Sequence, residues 1–296
     1  MSTVEPTASL AVPAKARRQS LLRGVLRTGE GKIGIGLGTF MIGLIILGQV
    51  FGPATDYGAG SPGSPSSAAH WFGTDALGRD VLSRFLHGGT TVLLIPLVAV
   101  TLSLIIGGSL GLFGAYWGGW PDLVIAKTFD VILTLPPLLV VLVIIGGLGT
   151  SNTVLIITVA FVFAPGLGRV VRGSAQSVIV NPYVLSAQAR GERDLSIIFR
   201  EVLPNVSGPT LAEFGLRLTY GILFVATLSF LGLGVQPPAA DWGLMVSENR
   251  GLITVAPWGT LLPALGITAL AVALNLSADA LSKVLAGDDL SRLAVI

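Results

Sequence analysis

The chain has 296 residues, 52% of them hydrophobic and 11% charged, with a net charge of +2 and a mean hydropathy of +0.80. Soluble domains carry about 25% charged residues, so this chain has too few to cover a water-facing surface. It has no cysteine, which excludes disulfides, thiolate metal sites and a cysteine nucleophile without fixing a compartment.

Residues 1–31 are rich in Ala, Ser, Thr and Arg and read as an unstructured tail. Arg17-Arg18 ahead of an apolar run suggests a twin-arginine signal, but the run is long and "GQVFGPATD" after it offers no small-x-small cleavage site. An uncleaved first span is the better reading. Uncharged stretches then recur at Ile33–Phe51, Phe85–Pro121, Val131–Gly168, Leu218–Ala240 and Gly251–Ala278. A helix needs about 20 apolar residues to cross the hydrocarbon core, and the third stretch holds two such helices, divided at the turn "GGLGTSN" (Gly146–Asn152). Spans are expected near 33–52, 91–115, 123–145, 153–171, 211–233 and 258–281. The segments are continuously apolar and not alternating, so they are helices and not strands of a barrel. The fold class is an all-α integral membrane protein with six transmembrane helices. Trp71, Trp117, Trp120, Trp242 and Trp258 fall at or just beyond the expected helix ends, where an amphipathic ring suits the headgroup zone.

The first long connection carries "HWFGTDALGRDVLSR" (His70–Arg84). Asp75 can cap a helix running to about His87, with Asp75–Arg79 and Asp80–Arg84 as i,i+4 pairs. Leu77, Val81, Leu82, Phe85 and Leu86 would make an apolar stripe suited to an interfacial helix. Such a helix either seals the outer mouth or meets a substrate-binding protein. Nickel ligation by His70, Asp75 and His87 has no ligand spacing to support it.

Between the fourth and fifth spans lies "NPYVLSAQARGERDLSIIFREVLPN" (Asn181–Asn205). Asn181 and Pro182 suit an N-cap and N1, and Gly191 suits the left-handed residue after a first helix. Asp194 can cap a second helix whose Leu195, Ile198, Phe199 and Val202 recur at i, i+3, i+4, i+7. Pro204 would stop it before the fifth span. A helical hairpin results, with Tyr183, Val184 and Leu185 lacking a core of their own. It is either a connector lying on headgroups or a docking knob for a partner.

Few charges enter the spans. Lys127–Asp130 and Glu213–Arg217 read as structural pairs near span ends, where snorkelling is cheap. Thr134, Thr227, Ser229, Asn275 and Pro136-Pro137 are what remains near mid-membrane. If the chain is a transporter, so weak a lining leaves recognition to a separate protein. Cations divide unequally: Lys15, Arg17, Arg18, Arg23, Arg27, Lys32, Arg169, Arg172, Arg190, Arg193, Arg200, Lys283 and Arg292 on one side, Arg79, Arg84 and Arg250 on the other. The positive-inside rule places both termini and the 181–205 insert in the cytoplasm. Intramembrane catalysis is not expected: both histidines, His70 and His87, flank an extracytoplasmic loop, and no His-x-x-x-His, Glu-x-x-His or phosphate-loop pattern occurs.

The insert resembles the coupling loop of ABC-importer permeases (Glu-Ala-Ala, three residues, Gly, nine residues, Ile-x-Leu-Pro): Ala187, Gly191, Leu203 and Pro204 match, while Leu185, Ser186 and Glu201 stand in place of the Glu, the first Ala and the Ile. The 70–84 stretch resembles the His-x-x-Gly-Thr-Asp-x-x-Gly-Arg-Asp signature of the dipeptide, oligopeptide and nickel subfamily, through His70, Gly73, Thr74, Asp75, Gly78, Arg79 and Asp80, followed by Arg84. "LSFLGLGVQPPAADWG" (Leu228–Gly243) and "APW…LLPALG…LNLSADAL" complete the likeness, which runs from about residue 30 to 285 and is closest to a C-type subunit.

The resemblance implies a type I ABC importer (MetI-like) permease fold moving peptides by alternating access. It implies a tail over 1–31, a first helix and loop over 32–90, a transmembrane domain over 91–285 and a tail over 286–296. Tyr183, Leu185, Ser186, Ala187, Gly191, Glu192, Phe199, Leu203 and Pro204 would meet the ATPase. It also implies a paralogous permease, two cytoplasmic ATPase subunits that hold ATP and Mg, an extracytoplasmic binding protein and a bilayer. No cofactor in this chain and no nucleic acid partner are expected. The rivals are a stand-alone secondary transporter or channel, marked by an ionisable coupling residue or a broken midplane helix, a structural scaffold, and a same-family importer for nickel or another small solute.

Overall fold

The computed structural model describes residues 23–51 and 60–293, with side chains described over 23–50 and 60–285. Most of the tail expected at 1–31, part of the loop at 52–59, and the chain's last three residues lie outside the described residues. Within them the backbone is helical apart from the connections, of which 60–80 is the longest, and one isolated β-bridge, Thr74 to Asp80. We label the helices α1 (Gly29–Phe51), α2 (Val81–Trp117), α3 (Gly119–Thr134), α4 (Pro137–Leu148), α5 (Asn152–Ile179), α6 (Pro182–Ala189), α7 (Asp194–Phe230), α8 (Trp242–Asn249) and α9 (Trp258–Leu293). Five are long and apolar enough to cross a membrane, and α3 with α4 makes a sixth if the bent pair is one span.

Hydrocarbon offers a backbone nothing to bond with, so helices that bond internally are what this composition permits. The boundaries differ from those expected. Residues 23–27 are already helical and α9 runs to Leu293, so helix extends into both segments read as tails. The helix expected from Asp75 starts instead at Val81, capped by Asp80, and runs unbroken into the second span. No separate interfacial helix forms, because Val81 and Phe85 are buried in the core with Met41, Ile45 and Trp242.

The third span breaks. Pro136 and Pro137 donate no N–H, and each disfavours α geometry in the residue before it. Leu135 and Pro136 are accordingly extended, and α3 and α4 meet at 87°. Gly149 and the Ser151 cap then form the turn read from "GGLGTSN".

Pro204 does not stop α7. A π turn at Ile198–Val202, in which Leu203 N–H donates to Ile198 O five residues back, takes up the distortion the proline imposes. α7 therefore runs for 37 residues from Asp194 to Phe230.

α5 is the centre of the bundle and packs on α2, α3, α4 and α7. Lipid tails give helices no hydrophobic reason to associate, so contact depends on close approach at small residues. A Cβ on Gly107 would collide with the Ala164 carbonyl, and one on Gly111 with the Gly168 carbonyl. Ser103 Oγ reaches across to Ala160 O at 3.0 Å. Gly111→Ala should therefore cost about 1–3 kcal/mol by overpacking and lower the thermal unfolding midpoint in detergent. Gly36→Ala on α1, where nothing lies within 4 Å of an added Cβ, should leave that midpoint unchanged or raise it.

Candidate functional site

The residues singled out by sequence gather at opposite ends of α2, which spans roughly 54 Å at 1.5 Å per residue. At its start lies the 70–84 motif. Gly73 (φ 73°) and Gly78 (φ 74°) hold left-handed turns, and an added Cβ would strike the carbonyls of Ser64 and Gly60 respectively. Thr74 Oγ1 donates to Ser61 O at 2.5 Å and accepts from Ser64 N at 2.8 Å, tying the loop to itself.

Inside that loop is a charge network. Asp75, Arg79 and Arg84 are 0%, 1% and 1% exposed. Asp75 Oδ2 accepts from Arg79 Nε at 2.6 Å and Arg84 Nη1 at 3.0 Å, while its Oδ1 accepts from the Leu77 and Arg79 amides. Glu248 of α8 accepts from Arg79 Nη2 and Arg84 Nη1, both at 2.6 Å. The Asp75–Arg79 pair forms as the spacing suggests. Arg84 does not pair with Asp80; it turns inward to Asp75 and Glu248. Asp80 instead caps α2 at Ser83 N and holds His70 Nδ1 at 2.8 Å. His87 Nδ1 lies 2.8 Å from Ser83 O. Among the described residues no three His, Asp or Glu side chains group as metal ligands.

Three partners of the motif were missed. Glu248, Asn249 (whose Oδ1 accepts from Ala76 N at 2.9 Å) and Trp242 all lie on α8, 157 or more residues further on. The available signal was an acid and an amide on a helix too short to span. Trp242 is not a headgroup anchor: it is fully buried, stacks on Phe85 at 4.8 Å and donates to Phe85 O at 2.7 Å. Asp241 caps α8 through Leu244 N, and burial pushes its carboxyl above the usual range.

At the other end of α2 lies the insert. Pro182 opens α6 at N1, but the Asn181 side chain does not cap it. Its Nδ2 donates back to Ser177 O and Val178 O, closing the end of α5. Gly191 is left-handed (φ 73°), with its amide on Gln188 O, and Glu192 pairs with Arg190 at 2.6 Å. Asp194 begins α7 without capping it and accepts from Tyr116 Oη at 2.9 Å.

Val184 is not without a core. With Ala187, Ile197, Ile198 and Val202 it is fully buried against Leu112, Ala115, Val171 and Ala175. The single apolar face expected on the second helix is split in two: Ile198 and Val202 turn inward, Leu195 and Phe199 outward. Tyr183, Leu185, Leu195, Phe199 and Leu203 thus form an exposed apolar patch, with Ser186 and Gly191 exposed beside them and Pro204 exposed next to Leu203.

Beside the last turns of α2, Arg172 grips Asp122 through two bonds (2.5 and 2.7 Å), and further along Arg169 holds Asp130 at 2.6 Å, both joining α3 to α5. The expected Lys127–Asp130 contact is longer, 3.9 Å, and Glu213–Arg217 closes at 2.6 Å.

Comparison with known proteins gives a consistent set of relatives. The family described as binding-protein-dependent transport system inner membrane component matches residues 99–287. The dipeptide transport system permease protein DppC of Alkalihalophilus pseudofirmus is 36% identical over 84% of this chain and 84% of its own. The glutathione transport system permease protein GsiD of Pectobacterium atrosepticum is 36% identical over 74% of this chain and 73% of its own. GsiD of Escherichia coli O6:K15:H31 is 37% identical, covering 74% and 72%.

Removing one partner of a buried ion pair costs about 3–5 kcal/mol, because it strands the other charge. Asp75→Asn should sharply lower the unfolding midpoint in detergent, whereas Glu248→Gln, at a position 17% exposed, should lower it less. A midpoint for Asp75→Asn equal to wild type would show the network to be dispensable.

Proposed function

Because the chain belongs to the family of binding-protein-dependent transport system inner membrane components, we propose that it is the permease subunit of an ATP-binding-cassette importer for peptides. The relatives named for dipeptide and glutathione transport support that cargo class. In this reading the chain forms half of a translocation pathway with a paralogous permease and works by alternating access. Two ATPase subunits supply the nucleotide chemistry with ATP and Mg, and a separate binding protein delivers the solute. No step of hydrolysis falls to this chain.

One observation carries the coupling role: the apolar patch of Tyr183, Leu185, Leu195, Phe199 and Leu203 stands exposed on a tightly packed insert. Exposed apolar clusters of this kind mark contacts with a protein or a membrane. We assign the patch to an ATPase cleft, with Gly191 setting the angle between α6 and α7. The broken α3–α4 helix, a feature also found in secondary transporters, does not shift this reading.

The orientation follows from the cation distribution, with the insert cytoplasmic and the 60–80 loop outside. In this cysteine-free chain, Ser66→Cys should react in intact cells with an impermeant thiol reagent and Ser196→Cys only after lysis. The reverse pattern inverts the topology.

A β-branched residue at the left-handed Gly191 costs about 1–2 kcal/mol. Moving a two-state transporter from 1:99 to 99:1 takes about 5.5 kcal/mol, so Gly191→Val and Phe199→Ala should reduce peptide uptake partially at normal expression. ATPase copurification and basal ATP turnover, measured alongside, separate uncoupling from lost assembly. Wild-type uptake in both variants would leave the insert a connector.

A further inference from the structure

We propose that the basic corner where α1 begins and α9 ends, carrying Arg23, Arg27 and Lys32, binds the headgroups of anionic phospholipids. This binding stands apart from the importer reading; only the leaflet, the cytoplasmic one, follows from the orientation argued above.

A built bend places the corner. Residues 23–27 are helical, the chain bends at Thr28, and α1 starts at Gly29. Thr28 Oγ1 donates to Val25 O at 2.8 Å and accepts from Gly31 N at 3.0 Å, closing the bend from both sides. A Cβ on Gly31 would collide with the Val25 carbonyl, so the turn requires glycine there. The bend seats residues 23–27 on α9. A Cβ on Gly24 would meet the Val284 side chain, and Lys283 Nζ holds both Glu30 oxygens, at 2.7 and 2.5 Å.

The level of the corner in the bilayer is marked by where charge resumes. The uncharged stretch Ile33–Phe51 begins directly after Lys32, and that of α9, Gly251–Ala278, ends just before Asp279. The two apolar spans reach their limits here, one at Gly29 and the other at Leu285. That is headgroup depth, where basic side chains keep their charge in water. Leu26 and Ile33 stand 44% and 61% exposed beside the cations, and apolar side chains interleaved with basic ones suit an interface.

The charge there is uncompensated. Lys283 neutralises Glu30, whereas Arg23, Arg27 and Lys32 are exposed and, among the described residues, pair with no carboxylate. The sequence adds Lys15, Arg17 and Arg18 and places no acid between Glu5 and Glu30. The last turns of α9 carry Asp279, Asp288 and Asp289. Even with these counted, cations outnumber carboxylates eight to four over 15–32 and 279–293. A surplus of Lys and Arg beside a transmembrane helix attracts acidic lipid headgroups.

The test uses the full cysteine-free chain in nanodiscs, with a fluorophore on Leu26→Cys. The quencher is phosphatidylglycerol or phosphatidylcholine, each with a nitroxide near the top of one acyl chain and present at equal mole fraction. Phosphatidylglycerol should associate with the probe about fivefold more strongly, the effect of one cation at an anionic surface, and the preference should fade as salt screens it. Arg23→Gln combined with Arg27→Gln should bring the two lipids within about twofold of each other. The unfolding midpoint should not change, because neither side chain has a carboxylate partner among the described residues to lose. A probe on Phe40→Cys, on the outward apolar face of α1, should be quenched equally by both lipids. Equal quenching at Leu26→Cys overturns the proposal, and so does a preference that survives the double substitution. Quenching at Phe40→Cys with none at Leu26→Cys would mean that protein, such as the acidic end of α9, covers the corner, and overturns it as well.

Discussion

A backbone inside hydrocarbon must satisfy its own N–H and C=O groups, and the rest of this fold follows from that demand. It makes α2 and α7 run for 37 residues each, longer than a bilayer needs. It also dictates how irregularity is admitted. Proline-bearing α7 is carried past Pro204 by a π turn that keeps the bond ladder closed. The second π turn, at Leu104–Gly108, falls where Gly107 and Gly108 bring α2 onto α5. Among the described residues the bent pair α3–α4 breaks at Leu135 and Pro136, which are left exposed. A chain under this constraint tolerates such a break only where something polar can reach it.

The same demand sorts the charges by environment. At the 60–80 end, two guanidinium groups and two carboxylates are drawn together and almost sealed, which is tenable only because each carboxylate takes several hydrogen bonds. That seal joins the start of α2 to α8, elements far apart in sequence. The Asp130–Arg169 and Glu213–Arg217 pairs are more open. At the insert end Tyr183, Leu185, Leu195, Phe199 and Leu203 are exposed among the charged Arg190, Arg193, Asp194 and Arg200.

Much of this was legible in the sequence. Apolar run length gave the number of spans, "GGLGTSN" gave the α4–α5 turn, and Gly191 announced its left-handed conformation. The i,i+4 rule found Asp75–Arg79 and Glu213–Arg217. What could not be read were partners distant in the chain: Glu248 for Arg84, Asp122 for Arg172 and Asp130 for Arg169. Local spacing offered Arg84 the nearby Asp80, and tertiary packing chose otherwise; Lys127 does pair with Asp130 at 3.9 Å, but Arg169 holds that carboxylate more closely. Helix ends were misplaced for a related reason. Pro204 looks like a stop signal by composition, but a π turn at Ile198–Val202 lets α7 run past it. The split of Ile198 and Val202 from Leu195 and Phe199 has the same origin, since a period of 3.6 does not describe a π turn.

The continuity of α7 bears on how force would travel. Phe199 lies on the exposed insert, Glu213 and Arg217 at the charged level, and Phe230 leads toward α8, which Glu248 fastens to α2. Ile197, Ile198 and Val202 pack the foot of α7 against α2 and α5 with no exposed hinge between them. Close-packed interiors are nearly incompressible, so a displacement applied at Phe199 cannot be absorbed locally. With the α8 end held by buried ion pairs, the motion left to α7 is a tilt about that anchored end. A tilt moves Arg217 and Glu213 relative to Arg169 and Asp130, whose own partner helix α3 is free to bend at Leu135. If the insert couples as proposed, the Glu213–Arg217 and Asp130–Arg169 pairs are the charges that such a tilt would shift relative to one another.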